Sequence, residues 1–189
     1  MAKRDYFAEL FVAGRFADAG WNVYFPHRDE GFDFIITKSV GGDHQIIRPV
    51  QVKGKYPTEG KTDKAVYGYV GELSQLHPEM VLAVPFFGSE PQAVPRFVAY
   101  LPIALIRKHS KGFRCQPAMF RGGEPLPRRD HRRFFDAEGL ALIEREDWRS
   151  MTIEQTLTDE ATEPVIVRVD GDVPSPQTQQ VIVSVRGES

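Results

Sequence analysis

The most constraining feature of this sequence is a pair of apolar runs that lie between Asp33 and Lys53, joined by a Gly-Gly-Asp segment. β-Branched residues are frequent in both runs, and a tight glycine-rich connection between two such runs is typical of a β-hairpin. Because side chains alternate between the faces of a strand, Gln51 and Lys53 share one face of the second strand and Val52 takes the other. The hairpin therefore predicts that a carboxylate, an amide and an ammonium meet at the end of a small sheet.

This set of side chains has the composition of a hard-cation site with a lysine beside it. Mg²⁺ is usually held by one or two carboxylates, and its other positions go to water and substrate phosphate. Asp33 supplies one carboxylate, and Gln51 supplies a neutral, weaker carbonyl oxygen. Lys53 could orient an attacking water or stabilise developing negative charge. The set predicts metal-dependent phosphodiester hydrolysis, although each residue alone is more often a turn, cap or solvated residue.

A helix is expected from Arg4 to Ala19 because the apolar residues recur at helical spacing and Gly20 follows as a natural stop. Phe7, Leu10, Phe11, Gly14 and Ala17 share one arc of this helix. Glu9 lies at the border of that arc and could lean toward whatever the helix packs on, where it would complete a metal shell. A solvated flank residue is the simpler interpretation of Glu9.

The remaining patterns indicate an α/β protein with a mixed central sheet flanked by helices. A core is expected within residues 1–110, a basic loop and a short helix within 111–155, and an acidic linker with a β-hairpin within 156–189. The expected strands are Trp21–Phe25, Met80–Phe87 and Arg96–Leu101, with a short helix at Tyr69–His77, a strand or short helix at Ile103–His109, a loop at Arg121–Arg133 and a helix within Ala137–Met151. The terminal hairpin would join Val165–Val169 to Val181–Val185, and since isolated hairpins are marginal in water it must add to the core sheet or to another chain, or be loosely held.

Charge is distributed unevenly along the chain, although the net charge is only -2. Residues 103–133 hold nine Lys/Arg and two acids, whereas residues 134–189 hold four Arg and twelve acids. A basic segment of this kind can accompany nucleic-acid binding, in which phosphate contacts dominate the affinity. The residues predicted to contact DNA here are Arg128, Arg129, Arg132 and Arg133, and Lys55 and Arg28 could do so nearer the hairpin. The alternative is a solvated loop that pairs with the acidic tail.

The composition also restricts the compartment. Cys115 is the only cysteine, so no intrachain disulfide is expected. Neither a signal peptide nor an apolar run near the roughly 20 residues that span a bilayer is evident. A cytoplasmic protein without a membrane partner is therefore expected.

The order of these features resembles the PD-(D/E)XK nuclease superfamily. A helix with Glu9 ends at Gly20, an Asp33-headed strand follows, and a later strand ends in Gln51-Val52-Lys53 after 17 intervening residues. The closest likeness is to the Gln-x-Lys branch, which is typified by Mrr-type restriction endonucleases, and more distantly to archaeal Holliday-junction resolvases. The likeness covers residues 5–101.

The resemblance implies a restriction-endonuclease-like core that cleaves DNA with Mg²⁺, or Mn²⁺ as an alternative, and allows a homodimer. It would make Glu9, Asp33 and Gln51 metal ligands and Lys53 the residue that assists the water. Two features depart from the pattern, since no proline precedes Asp33 and Gln51 carries no charge. A second hypothesis is therefore a catalytically silent module that binds nucleic acid or a protein, and a third is ordinary core with function in the C-terminal strands.

Overall fold

The computed structural model describes residues 3–28, 31–57, 66–67, 73, 76–90, 94–110 and 112–154. The described residues form two α-helices, α1 (Lys3–Asp18) and α2 (Asp136–Leu142), and 3₁₀ segments at Ile103–Leu105, Arg129–Phe134 and Trp148–Ser150. The strands are β1 (Asn22–Tyr24), β2 (Phe34–Ser39), β3 (Gln45–Val52), β4 (Val66–Tyr67), β5 (Val81–Phe86), β6 (Phe97–Pro102), β7 (Arg107–His109), β8 (Gly112–Arg114), β9 (Ala118–Arg121) and β10 (Glu124–Pro127). The chain is thus a mixed α/β protein.

A five-stranded sheet with the order β1-β2-β3-β5-β6 forms the centre of the fold. β2 and β3 pair antiparallel as the predicted hairpin, with Phe34 opposite Val50. β3 also pairs in parallel with β5, with Val52 beside Ala83, so the sheet is mixed. Two smaller sheets accompany it, one of order β10-β9-β4 and one of β7 and β8. The mixed central sheet expected from the sequence is therefore confirmed.

α1 packs on one face of this sheet, but through a different side from the predicted one. Its buried residues are Ala8, Val12, Ala13 and Phe16. The Phe16 ring lies 6.0 Å from the Phe34 ring and 5.3 Å from the Tyr100 ring, measured between centroids. Of the predicted arc, Phe11 is partly buried, whereas the other four residues are exposed. Both sides of the helix are apolar, so periodicity alone could not decide which side the sheet covers.

The end of α1 agrees with the sequence. Gly20 has φ 82°, its N–H donates to the Ala17 carbonyl, and the Trp21 N–H donates to the Phe16 carbonyl. This is the bonding pattern of a Schellman motif, which a glycine at C′ favours. The Lys38 ammonium also donates to the Ala19 carbonyl at 3.0 Å.

The loop predicted for Arg121–Arg133 is wrong, since this segment contains β10 and a 3₁₀ helix. Gly122 and Gly123, with φ 59° and 81°, form the connection between β9 and β10. Two positive φ values are what a type I′ hairpin turn needs, and glycine adopts them without strain. Pro125 and Pro127 are tolerated because β10 is an edge strand.

Other expected elements are confirmed or fall outside the described residues. The strands at 80–87 and 96–101 correspond to β5 and β6, the segment at 103–109 contains a 3₁₀ turn followed by β7, and α2 is the helix expected within 137–151. Of the helix predicted at 69–77, only residues 73, 76 and 77 are described, and none of these is helical. The terminal hairpin within 156–189 lies outside the described residues. No helix in the described part is long and apolar enough to cross a membrane.

Arg48 joins the hairpin to the segment after α2. Its side chain is buried in β3, where Nε donates to the Ile143 carbonyl at 3.1 Å and a terminal nitrogen donates to the Arg145 carbonyl at 2.9 Å. The guanidinium also forms an ion pair with Glu79. One buried cation therefore satisfies two main-chain carbonyls and a carboxylate, which holds residues 143–145 against the sheet.

We expect Arg48→Met to lower the free energy of unfolding by about 3 kcal/mol, because the change leaves buried acceptors without a donor. Urea denaturation of the full chain measures this. Arg149→Met is the matched control, since Arg149 is exposed and lies 3.5 Å from the same Glu79 carboxylate. A loss below about 0.5 kcal/mol is expected there. Equal losses in the two variants would contradict the proposed role of Arg48.

Candidate functional site

Two hydrogen bonds attach Asp33 to the main chain of the two residues that flank Gln51. Its main-chain N–H donates to the Val50 carbonyl at 3.0 Å, and its Oδ2 accepts a hydrogen bond from the Val52 N–H at 2.5 Å. The carboxylate thus replaces a main-chain acceptor at the point where β2 begins. These two bonds hold Asp33 alongside Gln51, as the hairpin predicts.

Gln51 carries a buried polar atom with an unusual environment. The residue is only 4% exposed and stands beside Leu82 of β5 in the sheet. Within the described part of the chain, its Oε1 has no hydrogen-bond partner. A buried carbonyl without a partner costs about 1–3 kcal/mol, so such atoms are uncommon in native proteins. An oxygen of this kind beside a fixed carboxylate is suited to receive a cation.

Lys53 and Lys55 continue the line of β3 beyond its last residue. The Lys53 N–H donates to the Ala83 carbonyl, and the Lys55 N–H donates to the Pro85 carbonyl, both at 2.9 Å. Burial, and to a lesser extent the charge of Lys53, lower the pKa of Lys55 to about 8. The segment that follows the Asp33–Gln51 pair therefore carries two neighbouring, partly buried ammonium groups.

Glu9 reaches this region from the helix. A Cβ built on Gly54 would lie 3.2 Å from the Ala8 Cβ, so the first turns of α1 cross directly over the segment that holds Lys53. Glu9 is half-buried and follows Ala8. α1 packs on the face of Val50 and Val52, however, and strand alternation directs Gln51 to the other face. The helix that carries Glu9 therefore lies on the face of the sheet opposite Gln51, and it crosses the chain just beyond the end of β3.

Hydrogen bonds to the main chain of Val50 and Val52 thus hold Asp33 beside Gln51, and Lys53 and Lys55 follow at the same strand end. The helix that carries Glu9 crosses this segment at Gly54. No cluster of three or more His, Cys, Asp or Glu residues suited to a metal was found among the described residues. Among the described residues, the candidate ligands are the carboxylates of Asp33 and Glu9 together with a neutral amide. Its negative charge is therefore lower than that of a three-carboxylate site.

The basic residues named from the sequence have different environments. Arg128 forms a two-pronged ion pair with Asp130, at 3.1 and 2.6 Å. Arg129 and Arg132 are exposed on the 3₁₀ helix, and Arg133 is half-buried. Arg28 is exposed in the loop before Asp33. Arg129, Arg132 and Arg28 are therefore accessible to solvent, whereas the charge of Arg128 is largely compensated.

Sequence reasoning missed the roles of His131 and Tyr56. His131 is buried, its Nδ1 lies 3.0 Å from Asp130 Oδ1, and burial lowers its pKa despite that carboxylate. Tyr56 stacks on Phe87, with the ring centroids 4.3 Å apart and the planes within 10° of parallel. No local sequence signal marks either contact, because each joins residues whose burial depends on the tertiary fold.

Comparison of the chain with models of known protein families, with curated proteins and with solved structures found no match. Functional inference therefore depends on the residues and their geometry.

We expect Lys55 to titrate near pH 8, because its surroundings disfavour the charged form. NMR of the ¹³C-dimethylated protein measures this titration, and Lys55→Arg assigns the signal by removing it. Lys53→Met should raise the pKa of Lys55, since it removes a neighbouring positive charge. A Lys55 midpoint above about 10, the value of a free lysine, would show that the site is not desolvated.

Proposed function

We propose that this chain is a metal-dependent, endonuclease-like protein that hydrolyses DNA phosphodiester bonds on a restriction-endonuclease-like core. One observation carries the proposal, which is the buried Oε1 of Gln51, unpaired among the described residues, beside the anchored carboxylate of Asp33. The two ammonium groups that follow on the same strand end add a place for phosphate. The resemblance to PD-(D/E)XK nucleases accounts for Asp33, Gln51 and Lys53.

A divalent cation fits the residues of this site. Mg²⁺ and Mn²⁺ prefer oxygen ligands, and Asp33 and Gln51 offer a carboxylate and a carbonyl that has no other partner among the described residues. Glu9 would supply a second carboxylate from α1. A bound cation of this kind would polarise the phosphodiester and lower the pKa of the attacking water. The low charge of the ligand set suggests weak metal binding that depends on substrate phosphate for completion.

The lysines would have separate tasks. Lys53 stands two residues beyond Gln51, where its ammonium would orient the attacking water or neutralise charge that develops on the phosphate. Lys55 would hold a phosphate oxygen at neutral pH. Because the pKa of Lys55 is about 8, its contribution to phosphate binding should weaken above that pH.

DNA is supported as the substrate by the exposed arginines. Arg129 and Arg132 project from the 3₁₀ helix, and Arg28 lies in the loop that leads to Asp33. Contacts from such residues to phosphates would supply sequence-independent affinity that decreases with salt. Arg133 would contribute less because it is half-buried. Arg128 would contribute less because its charge is paired with Asp130.

A silent binding module remains the second candidate, and the neutral Gln51 favours it. Replacement of a carboxylate by an amide weakens any metal site because it removes one negative charge. In that case the same strand end would bind nucleic acid or a protein partner without hydrolysis.

We expect Asp33→Ala and Lys53→Ala each to reduce Mg²⁺-dependent nicking of plasmid DNA at least 100-fold, since each removes a group that acts on the reacting phosphate. Gel assays of the nicked product measure the rate. Lys108→Ala is the matched control because Lys108 is an exposed lysine of β7. Wild-type rates in either site variant, with an unchanged fold by circular dichroism, would reject the assignment.

Two substitutions of Gln51 separate a metal ligand from a core amide. Gln51→Glu adds a negative charge and should tighten Mn²⁺ binding about tenfold, whereas Gln51→Leu should abolish it. Gln51→Leu should also keep or raise the melting temperature, since it removes an unpaired buried oxygen. Calorimetric titration with Mn²⁺ provides the affinities. Identical Mn²⁺ affinity of the Leu variant and the wild type would exclude Gln51 as a ligand.

A further inference from the structure

The outward side of α1 is apolar along three turns. Tyr6 is 60% exposed, and Phe7 and Leu10 are each 45% exposed. The other exposed members of this side are Gly14 and Ala17. We refer to these five residues as the outer face, and we propose that it binds the outer face of a second copy of this chain.

The charge pattern separates the outer face from an ordinary solvated helix surface. Surface helices normally place charged residues on the side away from the core. From Tyr6 to Ala17 every exposed residue of α1 is uncharged, whereas Glu9 and Arg15 lie half-buried on the flanks and Asp18 is exposed at the C-terminal end. A helix that is apolar on both sides is normally covered on both sides. The sheet covers one side of α1. On the other side the Phe7 ring lies 6.1 Å from the Phe87 ring, and the exposed remainder of the outer face is left for another surface.

Gly14 provides the second line of argument. A glycine in the middle of a helix is about 1 kcal/mol less favourable than alanine. Apart from the neighbouring residues and adjoining backbone of α1 itself, no atom of the described chain lies within 4 Å of a Cβ built at Gly14. Packing within the described chain therefore does not require a glycine at this position. The absence of a side chain is useful if something outside the chain approaches the helix closely at this position.

The outer face complements itself when two copies of α1 cross antiparallel about a two-fold axis. This axis would pass the exposed side of the helix at the level of Val12. Leu10 then lies opposite Gly14 of the partner subunit, and Phe7 lies opposite Ala17 of the partner subunit. Tyr6 lies opposite Asp18 of the partner subunit, where its hydroxyl could donate to the carboxylate. Each large side chain meets a small one, as an isologous interface requires.

This symmetry favours a second copy over other occupants. A covering segment of the same chain, or an unrelated protein, would not require the large residues in the first half of the outer face to match small residues in its second half. One helix pair covers less than the 1,200–2,000 Å² that stable interfaces typically bury. The dimer should therefore be weak, with a dissociation constant on the order of micromolar.

Sedimentation equilibrium of the full-length chain, from about 1 to 200 µM, tests the proposal. We expect a reversible monomer–dimer equilibrium in the wild type that Leu10→Glu and Gly14→Glu each shift at least tenfold toward monomer. Gly14 has open space around it, so its substitution should leave the melting temperature unchanged or higher. Ala141→Glu is the control, because it places the same charge at an exposed alanine of α2.

Three results would overturn the proposal. A wild type that stays monomeric at 200 µM excludes the dimer. Dimerisation that persists in both outer-face variants, or that Ala141→Glu weakens equally, places the interface elsewhere. A monomeric wild type whose melting temperature falls in Leu10→Glu indicates that another part of the same chain covers the outer face. None of these measurements depends on nuclease activity.

Discussion

The register of β3 between its two neighbours determines where the candidate site lies. β3 pairs antiparallel with β2 on one side and parallel with β5 on the other, so its last residues are fixed from both directions. The carboxylate of Asp33 adds a further bond at this end of β3, since it accepts a hydrogen bond from the Val52 N–H. A one-residue slip of β3 would turn Gln51 to the opposite face and would bring Val50 or Val52 in its place. The composition of the strand end therefore depends on main-chain pairing more than on any side-chain contact.

Much of this arrangement could be predicted from the sequence because it is local. Asp33, the glycine turn and Gln51 belong to one hairpin, and hairpin pairing follows from a short connection and from period-2 alternation. Gly20 marked the end of α1 for a similarly local reason, since a positive φ is required there. The parallel partner of β3 and the lowered pKa of Lys55 depend on β5, which lies about 30 residues further along the chain, and no local pattern contains them.

Two errors show where local patterns fail. The arc of α1 with the most apolar residues is exposed, because Ala8, Val12 and Phe16 form a second apolar side that meets the sheet. The segment around Gly122 was expected to be a loop, yet its two glycines form a tight turn and its prolines occupy an edge strand. In both cases the residues permit two structures, and contacts with distant elements select between them.

The proposed chemistry requires a divalent cation between the Asp33 carboxylate and the Gln51 amide oxygen. Anomalous diffraction from a crystal of the wild-type chain soaked in Mn²⁺ tests this claim most directly. The account predicts a peak about 2–2.5 Å from Gln51 Oε1 that is also within ligand distance of an Asp33 carboxylate oxygen. If the peak is absent, or if Oε1 instead forms a hydrogen bond within the protein, the proposed metal site is wrong.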